Sequence, residues 1–195
     1  MLLKLKQLAD IRTGLVLSRK KGDTHDDMYY TYKVVTLKAF NESGSLTYEN
    51  LDTFVSNEKL SNTYLTKKGD LLIRLREPNH AILIDETTAG LVVPSLIAHI
   101  KFKEPVNKEF LTYYLNKKTT QKKLQKEAKG TTISMINTKN LADLELHLPT
   151  QVKQEQAVSL LQLANREITL LETLKMQKID YKNQILDMII NEGTN

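Results

Sequence analysis

From Val152 to about Ile190 the chain contains neither glycine nor proline, and nothing else in the sequence constrains the fold as strongly. As an α-helix this stretch of roughly 40 residues would be about 60 Å long at 1.5 Å per residue. Helices in globular domains are usually a third of that, so such a length needs a reason. The apolar residues supply one. Leu161, Ala164, Ile168 and Leu171 follow heptad spacing, and a second register runs through Leu171, Leu174, Lys178, Tyr181, Ile185 and Met188. The two meet in a three-residue step at Leu171–Leu174 that resembles a stammer. One unbroken register would set Lys175, Lys178 and Lys182 on the seam, so the pattern predicts a register change. The stripe has to be covered, either by a partner helix or by folding back on the rest of the chain. The preceding 150 residues would leave little free surface for a stripe that long, which favours a partner.

Charge divides at the same place. From residue 151 onward there are five Lys/Arg against six Asp/Glu, whereas the whole chain carries +5, so the excess lies in residues 1–150. A basic domain on a near-neutral helix predicts a polyanion for the domain and a protein for the helix. There is no cysteine, which excludes disulfides, thiolate metal sites and a cysteine nucleophile. The opening Met1-Leu2-Leu3-Lys4-Leu5-Lys6 alternates apolar and basic residues rather than forming a signal peptide. No stretch of 18 uncharged apolar residues occurs, so no membrane span is expected. These features predict a cytoplasmic chain with two parts, a globular domain over 1–149 and a long helix over 150–195.

The domain reads as α+β, with a compact, mixed, β-rich fold. Residues 1–12 suggest a strand of wavering period, ended by Gly14. Ser18 to Asp27 form a polar loop, and Tyr29 to Leu37 are β-rich. Asn41 to Gly44 predict a turn. Leu71–Leu75 and His80–Ile84, joined by Pro78-Asn79, form the clearest hairpin. Leu91–Pro94 and Leu96–Phe102 add short β segments. An amphipathic helix is expected from Asn107 to about Ala128, stopped by Gly130. A short turn capped by Asn137 or Thr138 and a strand at Leu144–Leu148 close the domain at Pro149.

Candidates for catalysis are thin. His25, His80, His99 and His147 have no metal-ligand spacing; His99 and His147 read as satisfied strand histidines. Asp85-Glu86 reads as a solvated turn. Asp70 resembles the metal-binding carboxylate of some nucleases but lacks a Glu-x-Lys companion. No phosphate-binding glycine loop and no nucleophile elbow occur. The expectation is a non-enzyme that binds no cofactor or metal.

Candidates for DNA contact are richer. Six lysines and one glutamate lie between Lys117 and Lys129, and Lys118, Lys122 and Lys126 recur every four residues, with Lys129 a turn further. Such a row suits phosphates, although a solvated helix face would read alike. The hydroxyls of Thr131, Thr132 and Ser134 follow it. Arg74, Arg76, Asn79 and His80 flank the hairpin tip, where Arg and Asn are able to read bases; ordinary turn composition explains them equally well. Arg19, Lys20 and Lys21 have the same standing.

Several segments resemble, in order, the specificity subunit of type I restriction-modification systems. They are Leu5 to Gly14; Leu65 to Leu72 with Gly69-Asp70; Phe110 to Leu115; and Gly130 to Asn137 followed by Leu141, Leu144 to Pro149 and Glu155-Gln156. The resemblance departs at Leu75-Arg76-Glu77-Pro78, where the family often has a glycine after the arginine of its central strand. A full specificity subunit has two target-recognition domains and two conserved helices; this chain has one of each and looks like a half-subunit or a fragment. The resemblance implies a target-recognition domain that reads a half-site of double-stranded DNA. It implies a helix that pairs antiparallel with a second copy or another half-subunit, so that identical halves read an interrupted palindrome. Leu161, Ala164, Ile168, Leu171, Leu174, Tyr181, Ile185 and Met188 would form that dimer surface. It also implies docking of methyltransferase subunits, which hold S-adenosylmethionine, and allows a translocating nuclease subunit. A coiled-coil adaptor or decoy that binds those subunits without touching DNA is the other reading the residues permit.

Overall fold

In the computed structural model, residues 2–24, 28–41, 44–103, 105–128 and 135–192 are described. The chain divides into two units, 1–154 and 155–195. The first unit is built on a four-stranded antiparallel sheet of β2 (Ala9–Thr13), β7 (Ile97–Phe102), β5 (Leu71–Arg74) and β6 (Ala81–Leu83), in that spatial order. Two small antiparallel sheets flank it, one of β1 (Leu2–Lys4) with β8 (Glu145–His147), the other of β3 (Tyr30–Val34) with β4 (Asp52–Ser56).

The central sheet has two different faces. Strand residues alternate between them, and cross-strand partners share one. Leu71, Ile73, Ala98 and Ile100 lie on the first face, where they form one core with Leu5, Leu8, Leu111, Leu115, Leu124 and Leu141. Those last six come from α1 (Leu5–Leu8), α2 (Lys108–Asn116), α3 (Lys118–Ala128) and α4 (Thr138–Asp143). Leu72, Ile82 and Ile97 point the other way and pack under Val35, Phe40, Leu51 and Val93, from irregular chain. A fully buried aliphatic side chain of this kind contributes about 1.5–3 kcal/mol, so the two clusters hold the sheet from both sides.

The expected hairpin, the Asn137-capped turn and the final strand are present. Asn137 Oδ1 accepts from Asn140 N at 2.7 Å. Two expectations are corrected. The first strand is broken by the single helical turn α1, because Leu5 and Leu8, three apart, both enter the core. The amphipathic helix to Ala128 is two helices. Lys117 takes extended angles (φ −60°, ψ 132°) between α2 and α3, so each helix meets its own partner. α2 lies against β6, while α3 reaches the hairpin tip through glutamines.

Gly14 and Gly69 are among the glycines that the backbone demands. A Cβ at Gly14 would stand 2.1 Å from the Val93 carbonyl oxygen. Gly69 has φ +84° in the turn that delivers β5, a conformation that costs residues with a side chain.

The long helix α5 spans Gln151–Glu192, 42 residues, or about 63 Å. Leu161, Ala164, Ile168, Leu171, Leu174, Tyr181, Ile185 and Met188 are all exposed. So are Leu160, Leu163, Leu170, Ile179, Leu186 and Ile189, which lie outside the two registers. At about 100° per residue the apolar side chains cover around half of the circumference, more than a narrow two-helix seam uses. Among the described residues no helix is long and apolar enough to cross a membrane.

Candidate nucleic-acid interface

The hairpin tip, residues 74–80, is held mainly through its main chain. Gln121 Nε2 on α3 donates to Asn79 O at 2.7 Å, and Gln125 Nε2 donates to Glu77 Oε1 at 2.8 Å. Asn79 is 2% exposed, and its Nδ2 donates to Arg74 O at 3.0 Å. This corrects its expected role as a base reader: the amide is spent closing the turn. Arg74 is half-buried, and desolvation lowers its pKa; its Nε has no hydrogen-bond partner among the described residues. His80 is half-buried and its carbonyl accepts from Arg74 N at 3.1 Å. Arg76 is exposed and forms an antiparallel bridge with Met135. Of the four tip residues, Arg76 is therefore the one fully displayed.

α3 carries the lysine row. Thr120 and Leu124 are buried, and Gln121 and Gln125 lie partly buried beside them. Lys118, Lys122 and Lys126 fall on the opposite side and are exposed. Helical phase explains this, since residues two apart differ by about 200°. None of the three lysines makes an ion pair among the described residues. The first turn of α3 has no acidic residue, so lysine charge adds to the positive end of the helix dipole. Such a surface is relieved by an anion. The glutamines place this row on the same rigid element as the tip. Lys129, Thr131, Thr132 and Ser134 lie outside the described residues.

Of the first loop, Arg19 and Lys21 are exposed, but Lys20 is not a free cation. Its Nζ lies 2.7 Å from Glu58 Oε1. The loop is stitched to β4 by Gly22 N to Val55 O at 3.0 Å and by a bridge between Lys21 and Ser56.

The carboxylates hold structure. Asp70 Oδ2 lies 2.6 Å from His99 Nε2 and accepts from Lys67 N at 2.9 Å, so both side chains form a buried pair. Asp85 Oδ1 accepts from the amides and hydroxyls of Thr87 and Thr88, which hold its pKa below the usual carboxylate value. Glu86 pairs with Lys68 at 2.7 Å. His147 is exposed on β8 rather than enclosed. His25 lies outside the described residues. Among the described residues, no three His, Cys, Asp or Glu side chains gather as a metal set.

One polar feature escapes a linear reading. Arg12, Thr13, Thr63, Tyr64, His99 and Lys101, with Asp10, line a cleft of about 450 Å³ beside β2 and β7. The signal was the alternation Asp10-x-Arg12 and His99-x-Lys101, which puts all four on one sheet face; only the register Arg12↔His99 and Asp10↔Lys101 brings them together.

Solved structures with the same fold point one way. The chain is similar to the HsdS subunit from Thermoanaerobacter tengcongensis, with a TM-score of 0.68 at 13% identity over 91% of this chain and 44% of that one. It is similar to the S subunit of the type I restriction-modification system from M. genitalium, with a TM-score of 0.55 at 16% identity over 89% and 41%. A chain from a structural study of type I R-M complex assembly and conformational transition gives 0.62 at 16% identity over 91% and 41%. This chain thus spans about two fifths of the length of the solved proteins it matches. No curated protein sequence matches it. The model of the type I restriction modification DNA specificity domain matches residues 1–180, and the chain belongs to that family.

Proposed function

We propose that residues 1–149 recognise a DNA half-site and that the helix over 150–195 joins this domain to partners, as expected of a non-catalytic specificity subunit. The observation that carries the reading is the outward row Lys118, Lys122 and Lys126, free of ion pairs among the described residues and fixed to a hairpin tip that displays Arg76. Lysines at this spacing would engage phosphates and set the register, while Arg76 at the tip would read base edges. The domain supplies no reaction; methylation would fall to methyltransferase subunits that hold S-adenosylmethionine, and cleavage to a translocating nuclease subunit.

The breadth of the apolar surface on α5 supports more than one protein contact. A second copy or another half-subunit would take the stripe through Leu161, Ala164, Ile168, Leu171, Leu174, Tyr181, Ile185 and Met188. Residues such as Leu163 and Leu170 would remain for a methyltransferase subunit. Two identical halves would read an interrupted palindrome, because protein symmetry is mirrored in the site.

The test is duplex binding as a function of salt. Lys118→Gln, Lys122→Gln and Lys126→Gln together remove three phosphate contacts and should flatten the log K against log salt slope by about 2.7. From 50 to 200 mM salt, that is an affinity loss about 40-fold smaller than in the unsubstituted chain. An unchanged slope makes the row a solvated face and favours the adaptor reading.

A further inference from the structure

The strongest unassigned feature of the domain is the cleft beside β2 and β7, on the sheet face away from the helical core. Its cations are only partly offset from within, since the charge of Arg12 acts on Asp10 without an ion pair between them. Arg12 is exposed and makes no ion pair among the described residues. Among the described residues, Lys101 Nζ has one hydrogen-bond acceptor, the neutral carbonyl Asn62 O at 3.5 Å. The one exposed carboxylate present, Asp10, is engaged by Lys103 at 2.7 Å. With Asp10 held by Lys103 and Asp70 by His99, the two lining cations Arg12 and Lys101 remain without an ion pair among the described residues.

Geometry gathers these groups. Arg12 pairs with His99 and Asp10 with Lys101, so Arg12 and Lys101 are diagonal neighbours, about 7–8 Å apart at the backbone. Their long side chains are able to close on an anion between them. Thr63 and Tyr64 add hydroxyls around the rim, and His99, locked to Asp70 at 2.6 Å, makes a rigid floor. Hydrogen-bond donors outnumber acceptors here, which suits a ligand made of acceptors. A volume of about 450 Å³ admits one phosphodiester group, not a duplex.

We propose that this cleft binds a backbone phosphate of the DNA, with Arg12 and Lys101 supplying the charge and Tyr64 a neutral donor. The proposal rests on the DNA-recognition reading and adds to it a contact remote in sequence from the lysine row. It places the sheet itself, and not only α3 and the hairpin tip, against the nucleic acid.

The experiment measures binding of the full chain to a random-sequence 30-base-pair duplex between 50 and 200 mM salt. Arg12→Gln with Lys101→Gln should lower the salt slope by about 1.8, so that the affinity lost across this range shrinks about 12-fold relative to the unsubstituted chain. The charge-preserving pair Arg12→Lys with Lys101→Arg should keep the original slope. Tyr64→Phe should weaken binding about three- to tenfold at every salt concentration without changing the slope, as expected for a neutral hydrogen bond. Thermal melting of each variant establishes that it is folded. If the glutamine pair binds with the original slope while the lysine-row variant loses slope, this inference is overturned and the DNA reading stands. If the unsubstituted chain binds no duplex at any salt, both are overturned.

Discussion

Replacing Asn116 with alanine tests how the hairpin is held. β6 is an edge strand paired only with β5. Arg74 N donates to His80 O, and Ile84 N donates to Asp70 O, so bonded pairs alternate and Ile73–Ala81 is a non-bonded pair. The N–H and C=O of Ala81 therefore face away from the sheet. Asn116 meets both: its Oδ1 accepts from Ala81 N and its Nδ2 donates to Ala81 O, each at 2.8 Å. A single carboxamide at the end of α2 replaces one residue of a missing strand. Two bonds at about 1 kcal/mol each, with a further penalty where water refills a half-buried site poorly, give a loss of about 2–3 kcal/mol. With a urea m-value of about 2 kcal/mol/M, the unfolding midpoint should fall by more than 1 M. Asn116→Asp is nearly isosteric but cannot donate at neutral pH, so it should lose at least as much. A midpoint shift below about 0.2 M for Asn116→Ala would refute the reasoning, because it would mean that the edge needs no clasp.

Other expectations follow from the same geometry. Gly14→Ala drives a Cβ into the Val93 carbonyl, and the backbone on both sides is hydrogen-bonded; urea unfolding should show a loss of about 3 kcal/mol. Asp85→Ala opens the turn that orders Thr87 and Thr88, at a cost of about 1 kcal/mol by the same measurement. Because the folded Asp85 carboxyl is held below 3.8, its contribution is complete above that value and disappears as pH falls through the folded pKa; Asp85→Asn should remove that part of the acid dependence. Leu161→Glu, Ile168→Glu and Leu171→Glu together should convert a dimer to a monomer in sedimentation, and a monomeric unsubstituted chain at micromolar concentration would sink the pairing proposal.

Local signals made part of this structure legible in the sequence. The hairpin announced itself through two apolar runs around Pro78-Asn79, and α4 through the Asn137 cap, because a few adjacent residues decide each. The long helix was legible from the absence of breakers. The division of α2 from α3 was not, because Lys117 is neither glycine nor proline and the break follows from what each helix packs against. The commitments of Asn79 to a turn and of Lys20 to Glu58 were hidden for the same reason: residue type states what a side chain is able to do, while the fold decides whether it is free. The Arg12–Lys101 cleft needs a register between strands some 90 residues apart, which no window of sequence contains.

The hairpin tip is moored largely by atoms that every amino acid carries. Gln121 holds the carbonyl of Asn79, the Asn79 amide holds that of Arg74, and Asn116 holds the main chain of Ala81. Side chains at 76 and 77 can therefore be exchanged while most of the moorings stay in place. If the domain reads DNA as proposed, it gains from such an arrangement, since its reading surface would drift to a new target without first having to refold.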